Sequence, residues 1–216
     1  MMMYGCSSNR NPDAERFKAD YESLNGLVND NGKQYRTIEI DSDNPFHYLS
    51  LDEINKKIEA GETVIVYFGA NWCPWCRTVL PIAIKEAEKN KINTVYYVDV
   101  RVDNKAENEI RDVYALDENG NVYLSHEGTD AYHRFLELAD EVLRPYSRSD
   151  VKSLDDTPFA GAKRVGAPNY VLFINGKAVK MVTGISSLIS DPYGEIDEKI
   201  TEDISNIMSE FFEAVK

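Results

Sequence analysis

Residues 63–76 constrain this chain more than any other stretch. Thr63-Val-Ile-Val-Tyr-Phe68 is an unbroken run of strand-forming residues, and Gly69-Ala-Asn71 leads straight into Trp72-Cys73-Pro74-Trp75-Cys76. An alternating strand can leave one face in water, but a continuous apolar run has to be covered on both. Thr63–Phe68 therefore belongs in the middle of a sheet. Beyond it the periodicity becomes helical: Cys76, Val79, Leu80, Ala83 and Ala87 fall on one stripe. Pro74 suits a first helical turn, where its missing N–H costs nothing. The two cysteines thus stand at a strand-to-helix junction, with the second one turn inside the helix.

The flanking patterns extend this alternation. Phe17, Tyr21 and Leu24 mark a helix over Asp13–Leu24, and Tyr35–Ile40 alternates as a strand would, followed by a loop over Asp41–Tyr48. Ser50 and Glu53 form a capping box for a helix that runs to Ala60 and stops at Gly61, and Thr94–Val100 is a further strand. Strands alternating with helices predict an α/β sheet. From Arg101 the pattern loosens. A hairpin is expected over Val113–Leu116 and Val122–Leu124, then a helix carrying Tyr132, Phe135, Leu136, Ala139, Val142 and Leu143, then a loop over Ser147–Ala162. Tyr170–Ile174 and Ala178–Thr183 flank Asn175-Gly176, a strong two-residue hairpin signal. Ile200, Ile204, Ile207, Met208, Phe211 and Val215 share one face of a closing helix.

Composition removes several function classes. With 37 acidic and 24 basic residues the formal charge is -13, the opposite of a nucleic-acid surface. No run approaches the roughly 20 apolar residues of a membrane span. Three cysteines are too few for a disulfide-stapled scaffold. A zinc site needs about four ligands, and His47, His126 and His133 are scattered with no second cysteine pair, so no metal is expected. As a structural staple, so short a ring would remove little unfolded-state entropy. A reversible redox pair remains, with no cofactor beyond the Cys73–Cys76 disulfide itself. At a helix N-terminus Cys73 is favoured as thiolate, the attacking species, and Cys76 is placed to resolve the mixed disulfide.

Two blocks carry a family resemblance. Val64-Ile-Val-Tyr-Phe-Gly-Ala-Asn-Trp-Cys-Pro-Trp-Cys-Arg-Thr-Val-Leu-Pro81 resembles the active-site strand and helix of thioredoxins, including Trp72, the basic Arg77 and the helix-kinking Pro81. Ala167-Pro168-Asn169-Tyr-Val-Leu-Phe-Ile-Asn-Gly-Lys-Ala-Val-Lys-Met-Val-Thr-Gly184 resembles the thioredoxin segment that starts at a cis-proline. The resemblance implies a thioredoxin fold, a central mixed β-sheet flanked by helices. A hairpin plus helix, at about 101–164, is inserted between the third strand and the cis-Pro strand. It also implies that Pro168 lies against the cysteine pair, that Ala167 offers backbone groups to an extended substrate, and that Gly184 lies beside the active-site surface. Trp72, Pro74 and Trp75 would support the site, Trp75 as part of a protein-contact surface.

The departures are as informative. Thioredoxins carry a buried carboxylate six residues before the first cysteine, and here that position is Tyr67. Asp99 can substitute if its side chain faces the pair, and is otherwise an ordinary strand-end aspartate. Pro74-Trp75 replaces the Gly-Pro of reducing thioredoxins, so the direction of electron flow is left open. The insertion either frames a substrate groove or elaborates the packing.

The N-terminus, Met-Met-Met-Tyr-Gly5-Cys6 followed by polar residues, resembles the tail of a bacterial lipoprotein signal, with Cys6 as the lipidated residue. The basic and most of the apolar regions of such a signal are missing, as in a truncated start. The whole arrangement also looks like uncharacterised thioredoxin-like lipoproteins of Gram-positive anaerobes. The expected organisation is a tether at 1–12 and a thioredoxin-like domain at 13–216, anchored outside the cytoplasm through Cys6, or else cytoplasmic. The expected activity is thiol–disulfide exchange on protein disulfides with a redox partner the sequence does not name. The alternative is a binding or accessory module that holds polypeptides without obligatory redox turnover.

Overall fold

The computed structural model describes residues 11–216. Cys6 and the lipoprotein-like start lie outside them. α1 (Pro12–Glu22) begins one residue before the expected domain start, capped by the Asn11 side chain. β1 (Phe46–Tyr48), α2 (Leu51–Glu59), β2 (Val64–Gly69), α3 (Pro74–Lys89) and β3 (Val95–Asp99) follow in order. The capping box at Ser50 and Glu53 opens α2, and Gly61 takes a positive φ just past its end.

β4 (Val113–Leu116) and β5 (Val122–His126) form the first hairpin, followed by α4 (Asp130–Ala139). The pair β6 (Arg144–Pro145) and β7 (Lys163–Arg164) closes the base of a long loop. β8 (Asn169–Ile174), β9 (Lys177–Val182) and α5 (Glu198–Glu213) complete the chain. The main sheet runs β1-β3-β2-β8-β9, with β1, β3 and β2 parallel and β8 and β9 antiparallel. A central mixed sheet flanked by helices is the expected thioredoxin fold.

β2 is central and buried at every position. Its successive side chains point to opposite layers. Tyr67 stacks on Tyr170 at 4.5 Å, on the side where Tyr170 meets Phe211 and Phe212 of α5. Phe68 packs edge-on against Phe135 of α4 at 4.8 Å, and Phe135 meets Phe173 at 5.6 Å. α3 packs with α5, and α2 with α4. Each fully buried large side chain in these layers contributes about 1.5–3 kcal/mol. α4 is therefore part of the layer that covers the sheet. The hairpin and the 144–164 loop instead build a small separate core from Tyr114, Tyr146, Val151 and Leu154.

Two expectations need correction. Tyr35–Ile40 is not a strand. Its alternation is real, since Ile38 and Ile40 are buried, yet its backbone bonds to side chains. Asn25 brackets Ile38, Glu22 accepts from the Ile40 N–H, and the Arg77 Nε donates to the Arg36 carbonyl. The expected loop at Asp41–Tyr48 contains β1, too short at three residues to show a period.

The β8–β9 turn is as expected. Asn175 and Gly176 have φ of 52° and 75°, the left-handed pair that a type I′ turn requires. A Cβ on Gly176 would lie 2.6 Å from the Ile58 carbonyl oxygen. Gly176→Ala is expected to cost about 1–3 kcal/mol through this clash and the unfavourable φ, read as a lower urea midpoint at unchanged slope.

Candidate active site

α3 starts where β2 ends, so the junction aims the cysteines. Cys73 is the N-cap, and its sulfur accepts from the Cys76 amide at 3.5 Å. Pro74 occupies the first helical turn and Pro81 lies inside the helix. Both cysteines are free thiols. Cys73 retains 5% exposure and Cys76 none, so only the first can meet a partner directly.

Their electrostatics diverge. A hydrogen bond from Cys76, then the amides of Cys76 and Trp75 and the charge of Arg111, hold the Cys73 thiol below its ordinary pKa against the pull of burial. Burial first, and then Cys73 itself, push the Cys76 thiol well up. Of the two sulfurs, Cys73 is the one favoured as thiolate and Cys76 the one favoured as thiol. As a thiol, Cys73 donates to the Ala167 carbonyl at 3.2 Å. Ala167 and Pro168, joined by a cis peptide bond, thus adjoin the pair across the 94 residues separating Cys73 from Ala167. Trp72 is half-buried and its Nε1 donates to the Arg101 carbonyl at 3.0 Å. Trp75 is half-buried and packs against the core, so only part of its ring faces outward.

Asp99 does not join the pair. Its carboxylate accepts from the Arg101 amide at 2.9 Å, and the carboxylates that act on it are Asp103 and Asp20. It lines a cavity of about 540 Å³ with Asp20, Tyr48 and Asn71 that contains neither cysteine. Burial pushes its pKa up to about 6.

Tyr67 takes the place beneath Cys76. It is fully buried, and its hydroxyl acts on the Cys76 thiol in the direction that favours the thiolate, against the larger pull of burial. The Tyr21 hydroxyl is 3.2 Å from that of Tyr67. Gly69 makes room: a Cβ there would lie 2.5 Å from the Tyr67 Cζ and Oη, so the ring leans along β2 toward the cysteines. Gly184 serves packing, since a Cβ there would meet Val79 of α3 and Met208 of α5. Arg77 is a fully buried clamp on the N-terminal segment. Its guanidinium donates to the carbonyls of Tyr21, Arg36 and Asn71 and to the Asn25 side chain.

A cavity of about 270 Å³ opens beside Cys73. Trp72, Cys73 and Ala167 line it together with Arg111, Pro145 and Arg164. The inserted segment therefore frames the site, and the two arginines were not singled out from the sequence. The available signal was that most of the chain's arginines fall within 101–164. Among the described residues, no group of three or more His, Cys, Asp or Glu side chains is arranged to hold a metal ion.

Residues 46–135 match the Thioredoxin family model. A thioredoxin of Coprinus comatus is 41% identical over 54 residues, which is 25% of this chain and 51% of that protein. The chain thus spans about half the length of this curated relative. The crystal structure of thioredoxin O2 from Arabidopsis thaliana in its oxidised state aligns over 78% of this chain and 96% of that one, at 14% identity and a TM-score of 0.34.

Iodoacetamide, with peptide mass spectrometry as readout, is expected to modify Cys73 with a pH midpoint below the ordinary thiol value of about 8.5, leaving Cys76 unmodified in the folded protein. Asp99→Asn is expected to leave that midpoint in place. It should add about 1–3 kcal/mol of stability above pH 6, a gain that fades between pH 6 and 4, because a carboxyl with a raised folded pKa destabilises only where it is ionised.

Proposed function

We propose that this thioredoxin-domain chain is a thiol–disulfide oxidoreductase acting on protein disulfides. The observation that carries the reading is the asymmetry of the pair: a reachable Cys73 favoured as thiolate and a sealed Cys76 favoured as thiol, one helical turn apart. Cys73 attacks one sulfur of a substrate disulfide, and the other substrate sulfur leaves as a thiolate that takes up a proton. Cys76 then loses its proton and attacks the Cys73 sulfur. The second substrate thiol leaves and a Cys73–Cys76 disulfide closes. Two electrons pass from the dithiol to the substrate, and the reverse sequence oxidises a substrate dithiol. A thiol or disulfide partner resets the pair.

Tyr67 contributes at the second step. Its hydroxyl favours the thiolate that forms on Cys76, and the Tyr21 hydroxyl backs it at 3.2 Å. Unlike a carboxylate, the tyrosine adds no negative charge beneath a sulfur that must itself become negative.

The same reading puts the protein outside the cytoplasm, held at the membrane through a lipid on Cys6. Its support is the Gly5-Cys6 junction and the polar run after it. Metabolic labelling with a fatty acid is expected to mark the protein, and Cys6→Ala to abolish the mark. An unlabelled native protein would contradict the anchor.

With a disulfide-bonded protein substrate, Cys73→Ser is expected to abolish exchange, and Cys76→Ser to accumulate a mixed disulfide on Cys73. Tyr67→Phe is expected to slow resolution of that adduct about three- to tenfold, the effect of one lost hydrogen bond, with little change in the first step. Full biological function in Cys73→Ser would favour the polypeptide-holding module instead.

A further inference from the structure

The wall facing Cys73 carries more positive charge than its own carboxylate can balance. Arg111 is 5% exposed; its Nε and Nη2 donate to Glu109 at 2.6 and 3.0 Å, and its Nη1 donates to the Val165 carbonyl at 3.3 Å. Arg101 reaches the same Glu109 at 2.9 Å, so one carboxylate serves two guanidinium groups. Among the described residues, Arg164 has no carboxylate within ion-pair distance. Its Nη1 meets the Tyr146 hydroxyl at a long 3.4 Å, its guanidinium lies 5.1 Å from the Tyr146 ring centre, and its buried Nε has no hydrogen-bond partner among the described residues. Burial and the repulsion of Arg111 disfavour its charge, yet an arginine stays protonated in proteins.

A purely structural guanidinium looks different in this protein. Arg77, fully buried, meets four oxygen acceptors. Arg164 is held against a cavity with a buried donor left over, and Arg101, Arg111 and Arg164 set against Glu109 and a Cys73 thiolate leave one positive charge in excess, in a chain of net charge -13. Leaving buried donors unpaired is costly, and an anion entering from the cavity would relieve it.

We propose that the cavity between Cys73 and the Arg111–Arg164 wall is a carboxylate-binding subsite that selects disulfides with an acidic group next to the sulfur under attack. The proposal rests on the oxidoreductase reading and deepens it by naming the substrate class. At about 270 Å³ the cavity lies below the roughly 300–1,000 Å³ of small-molecule pockets and suits one side chain. An aspartate or glutamate beside a substrate cysteine has this chemistry, and so does a low-molecular-weight thiol that carries a carboxylate. The long-range field opposes the preference, because a strongly acidic chain repels acidic substrates. At 0.15 M salt the Debye length is about 8 Å, so that repulsion is largely screened while contact inside the cavity is not.

The test measures kcat/KM with the full chain on equal-length cystine peptides flanked by glutamate, lysine or serine, with oxidised glutathione as the small-molecule arm. The glutamate peptide is expected to exceed the lysine peptide about tenfold at 0.15 M salt, the effect of one charge-assisted hydrogen bond. Arg164→Gln is expected to bring that ratio to one or below, and Arg164→Lys to restore part of it. Both variants are read as ratios within one protein preparation, so partial misfolding cannot mimic the result. If the Arg164-dependent advantage is larger for the peptide, the physiological carboxylate belongs to a protein. If it is larger for glutathione disulfide, it belongs to a small thiol. A wild-type ratio at or below one, or a ratio unchanged by Arg164→Gln, overturns the subsite but leaves the oxidoreductase reading standing so long as the serine peptide turns over. No turnover of any of the four substrates overturns both.

Discussion

Burial of β2 on both faces is the constraint from which the rest follows. Val64–Phe68 cannot sit at an edge or face water, so β3 and β8 flank it and helices cover both sides. The strand must then end where the sheet ends, and α3 must start there. That puts Cys73 at the helix N-cap with amides of the first turn aimed at its sulfur, and Cys76 one turn down inside the core. Reactivity and protection come from the same geometry. Arg77, adjacent to Cys76, extends the arrangement outward by drawing the Tyr21–Arg36 segment onto α3.

The site beneath the pair is built from tyrosines. Tyr21, Tyr67, Tyr97 and Tyr170 are all buried on that side, and burial raises each of their pKa values. They remain neutral donors throughout the ordinary pH range. The proposed resolution at Cys76 therefore draws on neutral tyrosine hydroxyls in place of the carboxylate that Tyr67 replaces. The Tyr170 hydroxyl is buried with no hydrogen-bond partner among the described residues. Its ring stacks on Tyr67 and fixes that ring's position.

Much of this was legible in the sequence where signals are local. The apolar run, the capping box, the Cys-Pro-Trp-Cys turn and the Asn175-Gly176 turn each carry their physics within a few residues. The block at Ala167–Pro168 was legible only through family resemblance, because nothing local says that it returns to Cys73. The misreadings have one cause. Alternation at Tyr35–Ile40 reports which side chains are buried, but not whether the backbone finds a strand or a set of side chains to bond. Likewise, strand parity puts Asp99 on the same face of β3 as Tyr97, but does not say that its carboxylate turns toward Asp20 and Arg101. Arg111 precedes the first hairpin and Arg164 lies in the two-residue β7, far apart in sequence, and only the closed topology of β6, β7 and the hairpin brings both to the cavity at Cys73.

The insertion thus joins packing and chemistry. α4 completes the layer over the sheet, while the satellite core of Tyr114, Tyr146, Val151 and Leu154 holds the cationic wall in place. All of it has functional meaning only if the cysteines cycle. The most direct measurement is equilibration of the full chain with glutathione buffers of graded ratio, followed by acid trapping and counting of free thiols. The account predicts one two-electron transition of the Cys73–Cys76 couple, within the roughly -120 to -270 mV spanned by known pairs of this type. A pair that stays dithiol at every ratio would contradict it.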